Sequence, residues 1–220
     1  MIGKPLMDLD TPALTIDMYR MEENIRQVAF LAKNAGIELR PHIKTHKMPI
    51  VAQKQISEGA IGITAAKLSE AEVMVDNGIK DIFIAHVIVG EPKLSRLVKL
   101  FRRCRLCVGV DLPEHVRILS EAFVHEKEPL DVMIEVDTGQ RRQGRPSVQA
   151  TVEVAKVVQN TSGVQLRGIF THEGHDYAAS SIEALETESK KAQALMIETA
   201  KAIRKVTIKP CRVSVGSTPS

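Results

Sequence analysis

The chain has 220 residues, 44% of them hydrophobic and 26% charged, which is a soluble balance with length for one barrel-sized core or two small ones. Its net charge of +3 is mild, and with no Trp, two Tyr and five Phe it offers few stacking surfaces, which sets nucleic acid aside as a partner. No apolar run approaches a membrane span, and Met1–Pro5 lacks the apolar core of a signal peptide, so the expected location is the cytoplasm, away from membranes.

After the turn-like Asp8–Pro12, Ala13–Ile16 is predicted as a short strand and Asp17 as the cap of a helix. Met18, Met21, Ile25, Val28 and Ala32 form one stripe of that helix, and Gly36 stops it. The stretch Leu39–Lys47 starts as a strand, and period-2 alternation puts Arg40, His42, Lys44 and His46 on one side. A helix over Ile50–Ser57 ends at Gly59, and Ala60–Thr64 reads as a strand. Ser69 and Glu72 fit a capping box for the next helix, with Leu68, Ala71 and Val75 inward and Gly78 at its end. Asp81–Val89 is a near-continuous apolar run of the kind a parallel sheet covered on both faces requires.

Leu94, Leu97, Val98 and Phe101 then repeat at helical spacing before the strand Leu106–Val110. Pro113 opens a helix that buries Val116, Leu119 and Phe123. The strand Asp131–Val136 runs into a basic loop, Gln140–Pro146, and a helix over Ser147–Asn160. Gln165–Phe170, a charged helix over Ser181–Lys205 and the strand Arg212–Val215 complete the order.

Strands alternating with helices predict an α/β fold with a parallel sheet. About eight β-α pairs, and no G-x-G-x-x-G after the first strand, favour one TIM-type (β/α)8 barrel domain over residues 1–220. Polar and Gly-containing segments follow strand after strand at the C-terminal end, where such folds hold their active sites.

Lys44 is the centre of that chemistry. Neighbouring cations disfavour a protonated amine, which is how a lysine becomes a nucleophile towards a carbonyl; a solvated basic edge strand is the plainer reading. Gly216-Ser217-Thr218 suits a phosphate through backbone N–H groups and two hydroxyls, or is an ordinary turn. Arg141 and Arg142 lie on a loop from which a guanidinium fixes an oxyanion, unless the loop is simply solvated. His172 and His175 flank Glu173 and Gly174; zinc ligands drawn from these and His42 lack any H-E-x-x-H spacing. Each histidine is either a hydrogen-bonded structural residue or, for His172, a flat ring to stack on a cofactor. Cys104, Cys107 and Cys211 are odd in number and form no disulfide framework, and the Cys104-x-x-Cys107 pair reads as two structural thiols. A lysine, a phosphate cradle, an arginine and an imidazole at one mouth suit pyridoxal 5′-phosphate.

Asp10-Thr11-Pro12-Ala13-Leu14, Arg40-Pro41-His42 with Lys44-Thr45-His46-Lys47, Gly62-Ile63-Thr64 with Ser69-Glu70-Ala71-Glu72, and the closing Gly216-Ser217-Thr218-Pro219 carry a resemblance. The chain resembles, almost end to end, the D-threonine aldolase / D-serine dehydratase family of alanine-racemase-like, fold type III pyridoxal-phosphate enzymes. The resemblance implies that Lys44 holds the cofactor covalently and later serves as a base at the α-carbon. It implies that Arg142 lies near the cofactor's phenolic oxygen, that His172 stacks on its ring and that Gly216, Ser217 and Thr218 hold its phosphate. His42, from the lysine block, joins the cofactor-binding set.

The implied activity is that of a lyase on small D-3-hydroxy amino acids, with the aldolase preferred over the dehydratase. A non-catalytic barrel that holds pyridoxal phosphate for homeostasis is the alternative. Three departures stand out. Arg141 replaces a glycine of the family loop, so that turn is expected to rearrange, and tyrosines common near His86 and in Phe170-Thr171-His172 are absent. Family members also continue well past the Gly-Ser-Thr-Pro loop with a last barrel strand and a β-domain. That part carries a His/Cys metal site and much of the dimer contact, so a divalent metal and a homodimer are expected only of a full-length form. Ala13–Ile16 is expected to lean towards that β-domain, leaving the barrel incomplete, and the chain to be an N-terminal portion of the enzyme.

Overall fold

A computed structural model describes residues 5–207 and 211–218, so Met1–Lys4 and Pro219 of the closing motif lie outside the described residues. Six parallel strands, each hydrogen-bonded to its sequence neighbours, form one sheet curled as an open half-barrel of the alanine racemase N-terminal type: β1 (Ile63–Ala65), β2 (Asp81–Ile84), β3 (Arg105–Val110), β4 (Leu130–Glu135), β5 (Val164–Phe170) and β6 (Arg212–Ser214). Helices α1 (Met18–Asn34) and α2 (Pro49–Ser57) precede the sheet. The crossovers are α3 (Leu68–Asp76), α4 (Glu91–Phe101), α5 (Pro113–Phe123), α6 (Val148–Gln159) and α7 (Ile182–Arg204).

The strands bury both faces, for different partners. Ile82, Ile84, Val108, Val110, Val132 and Ile134 face outwards and pack with Leu97, Leu119, Phe123, Val154 and Met196 in the main core. Truncating any of the isoleucines, leucines, Met196 or Phe123 here to alanine would cost about 2–5 kcal/mol. The alternate phase makes a second cluster on the concave side, Phe83, Met133 and Phe170 with Ala85 and Cys107. There the rings of Phe83 and Phe170 meet edge to face at 4.9 Å. Below them, at the strand starts, Arg40 pairs with Asp81 at 2.7 Å and Arg167 with Asp131 at 3.1 Å. Helix starts follow the sequence signals at Asp17, Ser147 and Ser181, each accepting a backbone N–H three residues on.

Three expectations fail. Among the described residues there are six strands in the sheet, not about eight. Ala13–Ile16 joins no ladder, and Leu14 is 99% exposed, because no neighbouring strand covers it. Leu39–Lys47 contributes a single parallel bridge, His42 to Thr64, before the chain turns through residues 43–46. His42 Nδ1 accepts the Lys44 N–H and His46 Nδ1 accepts that of Met48, so the imidazoles stabilise the turn that ends the strand.

The capping box also shifts. α3 begins at Leu68, which puts Ser69 inside it, and Glu70 rather than Glu72 reaches back to the Ala66 N–H at 2.9 Å. Glu72 instead pairs with Arg96 of α4. On α1 only part of the predicted stripe is covered: Ala32 is buried and Met21 and Ile25 half-buried, while Met18 and Val28 join Tyr19, Phe30 and Leu31 as exposed apolar side chains. Among the described residues no helix is long and apolar enough to cross a membrane.

Candidate active site

The C-terminal ends of the strands gather most of the residues singled out by the sequence. His172 and Glu173 follow β5, and Gly216 follows β6. His172 Nδ1 lies 3.4 Å from the Gly216 carbonyl oxygen, and the Gly216 N–H donates to Glu173 Oε2 at 2.7 Å. Ser217 is half-buried and Thr218 exposed on the same loop. An added Cβ at Gly216 would meet no atom within 4 Å, so the loop faces open space.

Lys44 reaches the same mouth. Its charge bears on both His42 and His172. Burial first, then Lys44, pushes His42 down to about 4, with His172 and His86 adding and Glu70 opposing. The ring is therefore neutral at pH 7. Because Nδ1 accepts the Lys44 N–H at 3.2 Å, its proton sits on Nε2. Burial also lowers the His172 pKa against the Gly216 bond, helped by Lys44, Arg142 and His175.

The arginine loop is pinned at its two ends. Arg145 N–H donates to the Glu135 carbonyl and Asp137 N–H to the Arg145 carbonyl, both at 2.9 Å. Asp137 Oδ1 accepts from Gly139 and Arg141, and Asp111 Oδ2 accepts from Gly144 at 3.1 Å. Arg141 carries φ +55°, so the arginine itself adopts the left-handed backbone natural to glycine. Arg142 is exposed, and its charge reaches both His172 and Glu135. Gln143 Oε1 lies 2.6 Å from His86 Nδ1, tying this loop to the end of β2.

Two carboxylates at this end escaped the sequence reading. Glu135 closes β4 in the inward phase shared with Met133. Burial pushes it up to about 7, with Arg142 opposing and Asp111 and Asp137 adding. Glu173 is 2% exposed and also raised by burial. The available signal was a lone carboxylate at the inward end of an apolar strand, and another inside a His-x-Gly-His turn.

His175, by contrast, turns towards Asp176 at 3.6 Å and packs beside Gly139, where an added Cβ would lie 3.0 Å from its ring. Among the described residues no group of three His, Cys, Asp or Glu side chains could hold a metal ion. Burial pushes the Cys104 thiol up to about 11 and raises that of Cys107 as well, away from a reactive thiolate.

The family described as alanine racemase, N-terminal domain, matches residues 16–220. The chain belongs to that family. Among its relatives, a D-threonine aldolase of an Arthrobacter species is 35% identical over 87% of this chain and 49% of its own length. A D-threo-3-hydroxyaspartate dehydratase of Delftia sp. (strain HT23) is 35% identical over 98% of this chain and 57% of its own. The crystal structure of a D-threonine aldolase from Filomicrobium marinum superposes with a TM-score of 0.93 at 33% identity, covering 97% of this chain and 58% of that one. The chain thus spans about half the length of each of these relatives. Family membership sets a test for the mouth, namely whether its donors suit a phosphate-bearing aldehyde. They do: an exposed amine lies near enough for its charge to act on His172, and that imidazole lies 3.4 Å from the carbonyl of a loop open to space.

Proposed function

We propose that this chain is the cofactor-binding portion of a pyridoxal-phosphate-dependent lyase acting on small D-3-hydroxy amino acids. The supporting observation is His172, which meets the Gly216 carbonyl at 3.4 Å and also feels the Lys44 charge, so amine, imidazole and loop share one end of the sheet. When bound, pyridoxal phosphate supplies an electron sink for breaking a bond next to an amino group.

The Lys44 amine would hold the cofactor at its aldehyde and then serve as the base that moves a proton at the substrate's α-carbon. Ser217 and Thr218 present hydroxyls and N–H groups to the phosphate, beside Gly216. His172 would support the ring with its flat face, His42, neutral and bonded to the Lys44 backbone N–H, would add no second charge beside the amine, and Arg142 would lie towards the phenolic oxygen. Carbon–carbon cleavage is our preferred reaction and dehydration the second, relatives of both kinds being 35% identical to this chain. A barrel that only stores pyridoxal phosphate is less well supported, since the named relatives are aldolases and dehydratases.

In the whole protein the half-barrel is part of a (β/α)8 barrel followed by a β-domain that brings a divalent metal and the homodimer contact. The relatives' greater length and the exposed Leu14, Ile16 and Tyr19 support this. Three free cysteines, Cys104, Cys107 and Cys211, support a reducing compartment, the cytoplasm. The test is borohydride reduction of the chain mixed with pyridoxal phosphate, followed by peptide mapping. Label on Lys44 is expected; label on another lysine, or none in folded protein, overturns the reading.

A further inference from the structure

Gly216 is held at both of its backbone polar groups by consecutive side chains from the end of β5, His172 at the carbonyl and Glu173 at the N–H. The Glu173 carboxyl is 2% exposed and sits directly behind the loop assigned above to a phosphate ester. A phosphate dianion on one side of that loop and a carboxylate on the other repel each other where little water screens them. A neutral carboxyl removes the repulsion and keeps the hydrogen bond, because its carbonyl oxygen still accepts the Gly216 N–H.

We propose that Glu173 takes up a proton when a phosphate ester settles on the Gly216–Thr218 loop, making Glu173 a pH-dependent positioning residue for the cofactor. The surroundings favour it. On its own turn Glu173 faces Asp176, which repels its charge, and His175, which attracts it. Asp176 is in turn held by the Ser189 hydroxyl of α7 at 3.4 Å. From the loop after β6 the Gly216 N–H reaches the carboxyl, and from the arginine loop Gln140 packs against the neighbouring Gly174. Lys44 and Arg142 act on His172 next door. Burial already raises the carboxyl's pKa against the Gly216 bond, and a bound dianion raises it further. Between the free and bound values affinity for the ester falls with rising pH, by up to about tenfold per unit.

The inference rests on the cofactor reading, and the test separates the two. Pyridoxine 5′-phosphate carries the ester but no aldehyde, so it reads the loop without involving the Lys44 amine. Its dissociation constant is measured by calorimetry over roughly pH 6–9, for the chain and for Glu173→Gln. The chain should lose affinity with rising pH over that range by about tenfold more than the variant, which keeps the hydrogen-bond acceptor without the charge. Binding with parallel profiles overturns this inference alone, and no binding by the chain overturns the cofactor reading with it. Should the variant not fold, calorimetry of the chain in two buffers of different ionisation enthalpy counts the protons directly. Uptake rising above the ester's own share supports the proposal, and none overturns it.

Discussion

Arg212 Nη1 stands 2.8 Å from Glu38 Oε2, an ion pair that joins the first residue of β6 to the segment leading into His42. The curl of the sheet has therefore brought its last strand back towards the chain that precedes its first. Both side chains are about half exposed, so water and salt weaken the pair. A double-mutant cycle with Glu38→Ala and Arg212→Ala, read by denaturant unfolding, should give a coupling below about 1 kcal/mol that shrinks in high salt. Coupling of several kcal/mol would show that the pair, and not the strand ladder, holds the curl.

Arg141 holds φ +55° while Asp137 binds its N–H. Glycine adopts that backbone without its Cβ crowding the chain, at some cost in unfolded-state entropy. Arg141→Gly should therefore raise stability by about 0.5–1 kcal/mol in urea unfolding, with no loss of pyridoxal phosphate affinity. Destabilisation would mean that the arginine side chain contributes more than its backbone costs.

Gly168 lies close against β6, and an added Cβ would lie 2.0 Å from the Arg212 carbonyl oxygen. Gly168→Ala should cost about 3 kcal/mol or more by forcing the two strands apart. Hydrogen exchange should show the Thr171 N–H, which donates to the Ser214 carbonyl, losing protection first.

Glu135 and His42 set opposite pH slopes. Glu135 is raised from 4.5 to about 7, so the folded chain holds its proton more tightly than the unfolded one, and that stability is lost as pH climbs through this window. Glu135→Gln should flatten the loss and leave the chain more stable at pH 8, by about 2–3 kcal/mol at most.

His42 runs the other way. Its fall from 6.5 to about 4 means the unfolded chain binds the proton more readily, so stability drops as pH falls between those values. Nitrogen-15 spectra of the imidazole should show a neutral ring at pH 6 with its proton on Nε2. A protonated ring at that pH would contradict the buried, lysine-facing position.

The helices were legible because their signals are local. Leu94, Leu97, Val98 and Phe101 on α4 and Val116, Leu119 and Phe123 on α5 repeat at the period of the inner face; Val98 and Phe101 are half-buried against the core and the other five are buried. Lys44, His42, His172 and Gly216 could be read as a group because each ends or follows a strand in a parallel fold, and the fold brings those ends together. Strand length was not legible. Ala13–Ile16 alternates as a strand does, but a strand needs a neighbour, which local pattern does not reveal. Leu39–Lys47 kept its basic alternation through a turn closed by its own histidines. Glu135 and Glu173 were missed because a single carboxylate declares its burial only once distant elements close over it.

Phe83, Met133 and Phe170 close the concave side midway between the paired charges at the strand starts and the histidines above. The concave face is thus apolar in its middle, with ion pairs at one end and imidazoles at the other. A polar small molecule beside Lys44 therefore meets hydrogen-bonding groups at the strand ends but rings and a thioether below them, which favours the rim over the floor of the sheet.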